Sequence, residues 1–113
     1  MIDDIEKAEA LMQGMRSALP MRAGVGTEVF QALRQESSEA TISHQCDVID
    51  VRYAGDEGGI LCDLDFGVHE SKTVHIVSIT HLAFDRRNPL WREIERYKKR
   101  RIKRLRKLQV GMI

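Results

Sequence analysis

Aromatic side chains are scarce in this chain: one Trp, two Tyr and three Phe among 113 residues. A core must therefore be mostly aliphatic, and rows of stacked aromatics that hold single-stranded nucleic acid are excluded. Cysteine is limited to Cys46 and Cys62. That is too few for a disulfide-stapled scaffold, so both are expected as reduced thiols. No apolar run approaches the roughly 18 residues that a membrane span requires. The chain opens Met1-Ile2-Asp3-Asp4-Ile5-Glu6, acidic where a secretory leader is basic and then apolar. The expectation is a cytoplasmic protein with no membrane partner.

Chemical motifs are missing as well. There is no nucleophile elbow, no P-loop and no His-Glu-x-x-His. His75 and His81 share a strand face, but six residues of strand separate them by about 20 Å, too far for one metal. His44 and Cys46 supply half a zinc site, and Cys62 is expected to face the core instead of completing it. Gly24-Val25-Gly26-Thr27 reads as a loop with no strand before it, unlike a dinucleotide-binding turn. Asp50-Val51-Arg52 loosely resembles the loop motif of the cyclic-dinucleotide-binding PilZ barrel. It has Arg where that motif has Ser and no Arg-x-x-x-Arg arm upstream, so the resemblance assigns no residue a role. The chain is expected to be non-enzymatic, with no catalytic residue, cofactor or metal.

What is present is a division of charge. Residues 1–85 carry six Lys/Arg against fifteen Asp/Glu, a net of −9; residues 86–113 carry twelve against two, a net of +10. Such asymmetry in a short chain points to a partner of opposite sign. With 42% hydrophobic and 31% charged residues, the composition is that of an ordinary globular chain.

Helical spacing of Ile5, Ala8, Met12, Met15 and Leu19 predicts a helix over 3–19. Asp3 and Glu6 form its expected capping box, and Pro20 ends it. Residues 20–27 read as a loop, with Thr27 capping a short helix that carries Val29, Phe30 and Leu33. Residues 36–43 are a polar connector. Residues 46–66 read as a β-hairpin turning at Gly55-Asp56-Glu57-Gly58. The expected register pairs Tyr53 with Ile60, Val51 with Cys62 and Ile49 with Leu64, all six on one face. It also sets Asp50 directly opposite Asp63 on the other face. Like charges there need a nearby cation, and Arg52 is the nearest. A third strand is expected from Thr73 to Phe84.

Asn88 and Pro89 open the last helix, which runs to about Leu108. Leu90, Trp91, Ile94, Tyr97, Ile102, Leu105 and Leu108 form an apolar stripe interrupted by Lys98 and Arg101. The first half is expected to pack on the sheet, and the second to project or to lie over a surface with its long charged stems snorkelling. Glu93 and Glu95 precede the cations, which suits the helix dipole. The dipole acts over one turn only and does not explain twelve cations.

The expected fold is therefore α+β over residues 1–113. A small antiparallel sheet of about three strands, a hairpin plus one, carries an N-terminal helix and a long basic C-terminal helix over 88–108. The leading functional expectation is an interaction module. Arg96, Lys99, Arg100, Lys103, Arg104 and Lys107 engage an acidic surface, with Asp50 and Asp63 as the counter-surface, on the same chain or across a homo-oligomer. The alternative is RNA or DNA backbone binding through the same helix. A small enzyme ranks third.

Overall fold

The computed structural model describes residues 2–36, 43–67 and 75–111. The connector at 37–42, His69 and the start of the expected third strand at Thr73 and Val74 lie outside them. Along the chain come α1 (Ile5–Ala18), β1 (Met21–Val25), α2 (Thr27–Glu36), β2 (Gln45–Tyr53), β3 (Ile60–Asp65), β4 (His75–Ser78), β5 (Leu82–Ala83) and α3 (Trp91–Gly111). The mixed helix-and-sheet class is as expected, but five strands form the sheet instead of about three. They pair antiparallel in the order β4-β3-β2-β1-β5.

The two additional strands have identifiable causes. β1 lies where a loop is expected, because its two nearby glycines resemble a turn. Yet Met21, Ala23 and Val25 alternate inward with Arg22 outward, and Met21 and Ala23 pair with Val48 and Cys46. The expected strand over 73–84 is broken by a short helical turn at Ile79–His81. The Ser78 hydroxyl caps that turn by accepting from the Thr80 amide at 3.4 Å. β4 and β5 thus sit at opposite edges of the sheet, yet only three residues join them. Four extended steps reach at most about 14 Å, so the sheet must curl to bring its edges together.

The hairpin keeps Tyr53↔Ile60, Val51↔Cys62 and Asp50↔Asp63, but Leu64 pairs with Val48 and not with Ile49. Ile49 is the extra residue of a β-bulge. Val48 is fully buried while Ile49 is 46% exposed, so the bulge rotates a different aliphatic side chain into the core. Val48 and Ile49 are adjacent and both aliphatic, so the apolar match across the turn does not reveal the bulge.

The core gathers Ala8, Leu11, Met12 and Met15 of α1 with inward residues of every strand except β4, and with Ile79, Phe84 and Ile94. Each fully buried aliphatic side chain there contributes about 1.5–3 kcal/mol. Cys46 and Cys62 are free thiols inside this core. Burial pushes Cys46 up to about 11 and Cys62 up to about 12, with neighbouring carboxylates adding to the effect. Tyr53 is raised to about 12, first by burial and then by its bond to Asp3. Each group holds its proton more tightly folded than unfolded, so its contribution is complete below its unfolded value and is lost as pH rises toward the folded one. Urea midpoints should therefore fall steadily from pH 9 to pH 12. A flat profile over that window would contradict the buried placement of these groups.

Candidate functional site

The basic helix α3 is anchored by a buried polar cluster that sequence reasoning missed. Asp3, assigned from sequence to a helix cap, is 6% exposed. The cap is instead Asp4, whose side chain accepts from the Lys7 amide. One oxygen of Asp3, Oδ2, accepts from Tyr97 at 2.6 Å, Tyr53 at 3.0 Å and Arg101 Nη1 at 3.1 Å. Arg101, only 3% exposed, gives its second nitrogen to the Asp56 carbonyl at 2.8 Å. The Tyr97 hydroxyl accepts from the Ile60 amide at 3.0 Å. Ile2 completes the strap: its amide donates to Asp56 Oδ1 and its carbonyl accepts from Arg104. The N-terminal residues are thus held between the β2–β3 turn and α3.

The sequence contained one trace of this. Arg101 falls inside the apolar stripe, where a charge is costly unless it is paired. Lys98, the other interruption, also turns inward; its ammonium donates to the Leu82 carbonyl at 2.7 Å and to Glu95 at 3.1 Å. Asn88 accepts from the Leu90 amide at 2.9 Å, one turn before the regular helix begins at Trp91.

Gly59 marks how closely α3 approaches the turn. Its φ is +64°, and an added Cβ would meet the Tyr97 hydroxyl and lie 2.9 Å from the Arg101 guanidinium. Gly59→Ala should therefore cost at least the roughly 1–3 kcal/mol of a strained backbone, plus displacement of the cluster. Thermal unfolding is the check; an unchanged midpoint would mean that the turn does not seat α3.

The remaining cations of α3 face the other way. At 100° per residue, Arg92, Arg96, Lys99, Arg100, Lys103, Arg106 and Lys107 fall within about 120° of arc and span about 22 Å. All are exposed except Arg100, which is half-buried. Among the described residues none of the seven has an anionic partner. Five of the six expected binding residues belong to this face; Arg104 lies at its margin and bonds to Ile2. The i,i+3 and i,i+4 neighbours within the face make seven like-charge pairs. At about 0.2–0.5 kcal/mol each, these pairs cost roughly 1.5–3.5 kcal/mol, offset in part by the opposite-charge neighbours Arg92–Glu95, Glu93–Arg96 and Glu95–Lys99.

The expected counter-surface lies elsewhere in the bonding pattern. Asp63 accepts from Arg52 at 2.6 Å, and Asp50 accepts from the Val51 amide at 2.9 Å. Asp47, on the same strand, pairs with Arg22 at 3.6 Å. Asp47, Asp50, Asp63 and Asp65 against Arg22 and Arg52 leave a net of −2 on these two paired strands and β1. His75 lies buried on β4, His44 stacks on Phe30 with ring centroids 3.9 Å apart, and His81 ends the turn before β5. A strand does precede Gly26, but it belongs to an antiparallel sheet. Among the described residues no cluster of three or more His, Cys, Asp or Glu could hold a metal ion, and no helix is long and apolar enough to cross a membrane.

A groove of about 460 Å³ runs between α1 and α3. Leu11, Ala10 and Tyr97 line it, with Lys7, Arg96 and Arg100 as its cations and Asp3, Asp4 and Glu93 as its carboxylates. Arg96 and Arg100 therefore belong both to the groove and to the cationic face. No family model, curated protein or solved structure matches the chain.

Proposed function

We propose that the protein is a non-enzymatic binding module whose α3 face takes an extended polyanion, the phosphate backbone of a nucleic acid. The observation that carries this reading is the run of seven cations on one arc of α3 that have no anionic partner among the described residues. A helix face with more like-charge than opposite-charge neighbours gains most from a ligand that supplies negative charge along its whole length. Duplex nucleic acid carries one negative charge per about 1.7 Å of axis, and the face presents one or two cations per 5.4 Å turn. The rival reading, pairing with Asp50 and Asp63 of a sister chain, is less well supported. A patch of net −2 leaves most of the seven cations uncompensated.

Two measurements test the reading. Fluorescence anisotropy with a labelled RNA hairpin should give a log–log salt slope near −6 if all seven cations engage. That is about three to four orders of magnitude in affinity between 50 and 200 mM salt. Absence of binding at 50 mM salt would overturn the reading. Separately, Lys103 takes part in four of the seven repulsive pairs. Lys103→Gln should raise folding stability by about 1–2 kcal/mol while weakening RNA binding. A loss of stability would show that the face is already compensated within the free protein.

A further inference from the structure

We infer that the groove between α1 and α3 is a site for one extruded nucleotide, with its phosphate at Arg96 and Arg100 and its base edge at Glu93. The inference rests on the polyanion reading of α3 and deepens it, from a backbone-tracking face to one with a single base-contacting site. The groove has the size of a small-molecule site, several times the volume of a nucleobase. Its chemistry divides as a nucleotide does. Arg96 and Arg100 stand on the tracking face and also line the groove, so a phosphate carried along α3 passes its mouth. Leu11, Ala10 and the body of Tyr97 offer an apolar wall to a flat ring.

The carboxylates select among bases. Oδ2 of Asp3 accepts from Arg101 and the two tyrosines, and Oδ1 of Asp4 accepts the capping bond from the Lys7 amide. Glu93 is exposed and, among the described residues, makes no side-chain bond. Of the three carboxylates lining the groove it is the one with neither oxygen hydrogen-bonded among the described residues. A carboxylate accepts from bases that present N–H donors side by side, as the N1 and N2 groups of guanine do, and repels edges made of acceptors. The site does not need a row of aromatics, because it holds one nucleotide and not a strand. It fits a structured RNA with an unpaired guanine and not a continuous single strand.

The direct test is titration of the full chain with guanosine 5′-monophosphate, followed by amide NMR. Shifts should concentrate at Ala10, Leu11, Glu93, Arg96 and Tyr97, and adenosine 5′-monophosphate should bind at least fivefold more weakly. Glu93→Gln should bring the two nucleotides to within twofold of each other. Ala10→Phe, at an exposed position of α1, should fill the groove and abolish the shifts. It should leave the salt slope for a fully paired RNA duplex unchanged. No localised shifts with guanosine 5′-monophosphate would overturn the nucleotide site. If the duplex still binds with a steep salt slope, the backbone reading stands without it. If localised shifts appear but no duplex binds, the groove binds nucleotides and the polyanion reading fails.

Discussion

Replacing Arg101 with alanine should destabilise the fold by about 3–5 kcal/mol, read as the shift of a urea unfolding curve. The physical reason is asymmetry. Asp3 and Arg101 are both almost completely buried, with side chains 2% and 4% exposed. Removing one partner leaves the other charge uncompensated in a dry site. The loss extends further, because Arg101 also satisfies the Asp56 carbonyl in the β2–β3 turn. Asp3→Ala should cost a similar amount, leaving Tyr53 and Tyr97 without their shared acceptor. The two losses should not add. With both charges gone the penalty for an orphaned ion disappears, so the double variant should be clearly more stable than the sum predicts. Arg106→Ala, on the exposed face, should change stability by less than about 0.5 kcal/mol. Equal effects of Arg101→Ala and Arg106→Ala would remove the Asp3 cluster as the anchor of α3.

Neutralising Lys99, Lys103 and Lys107 together to glutamine should produce the largest change in binding. Three lost phosphate contacts reduce the salt slope by about 2.7 and the affinity at 0.1 M salt by roughly 500-fold. The same variant should be more stable than the parent, since it removes like-charge neighbours at i+4. Opposite signs for stability and affinity are what distinguish a functional charge face from a merely solvated one. Sedimentation gives the rival reading its chance: a parent that is dimeric, and a triple variant that is monomeric with unchanged RNA affinity, would establish pairing with a sister chain instead. The inward-facing Lys98 is the control. Its bonds to Leu82 and Glu95 predict that Lys98→Gln alters stability and leaves the salt slope intact.

The cationic face and the buried anchor differ in how far they could be read from residues alone. The face follows from helical periodicity: once a helix is expected after Pro89, positions 92 to 107 sort themselves on a wheel without further knowledge. Arg101 and Lys98 were visible there only as interruptions of the apolar stripe. Their partners lie 98 residues away at Asp3 and 16 away at the Leu82 carbonyl, and no local pattern encodes such pairings. Asp3 was misread for the same reason. Asp3 and Asp4 are equally good cap residues by type, and only the docking of α3 draws Asp3 into the interior. The hairpin was legible because its apolar face matches itself across the turn near Tyr53 and Val51. The bulge at Ile49 was not, since Val48 and Ile49 are interchangeable by hydropathy.

The sequence by itself determined the helices, the hairpin and its turn, the inward placement of Cys62, and the separation of an acidic body from a basic helix. These depend on near neighbours: caps, prolines, and the periods of 3.6 and 2. The inward placement of Cys46 came with the bulge at Ile49. The tertiary structure decided that the strand after residue 75 breaks at Ile79, so that β4 and β5 close opposite edges of a curled sheet. It also decided which cations of α3 are structural and which face outward. That last division depends on what each side chain meets across the fold. Arg101 and Arg104 reach the strapped N-terminal residues, while the seven cations on the far arc meet no carboxylate among the described residues.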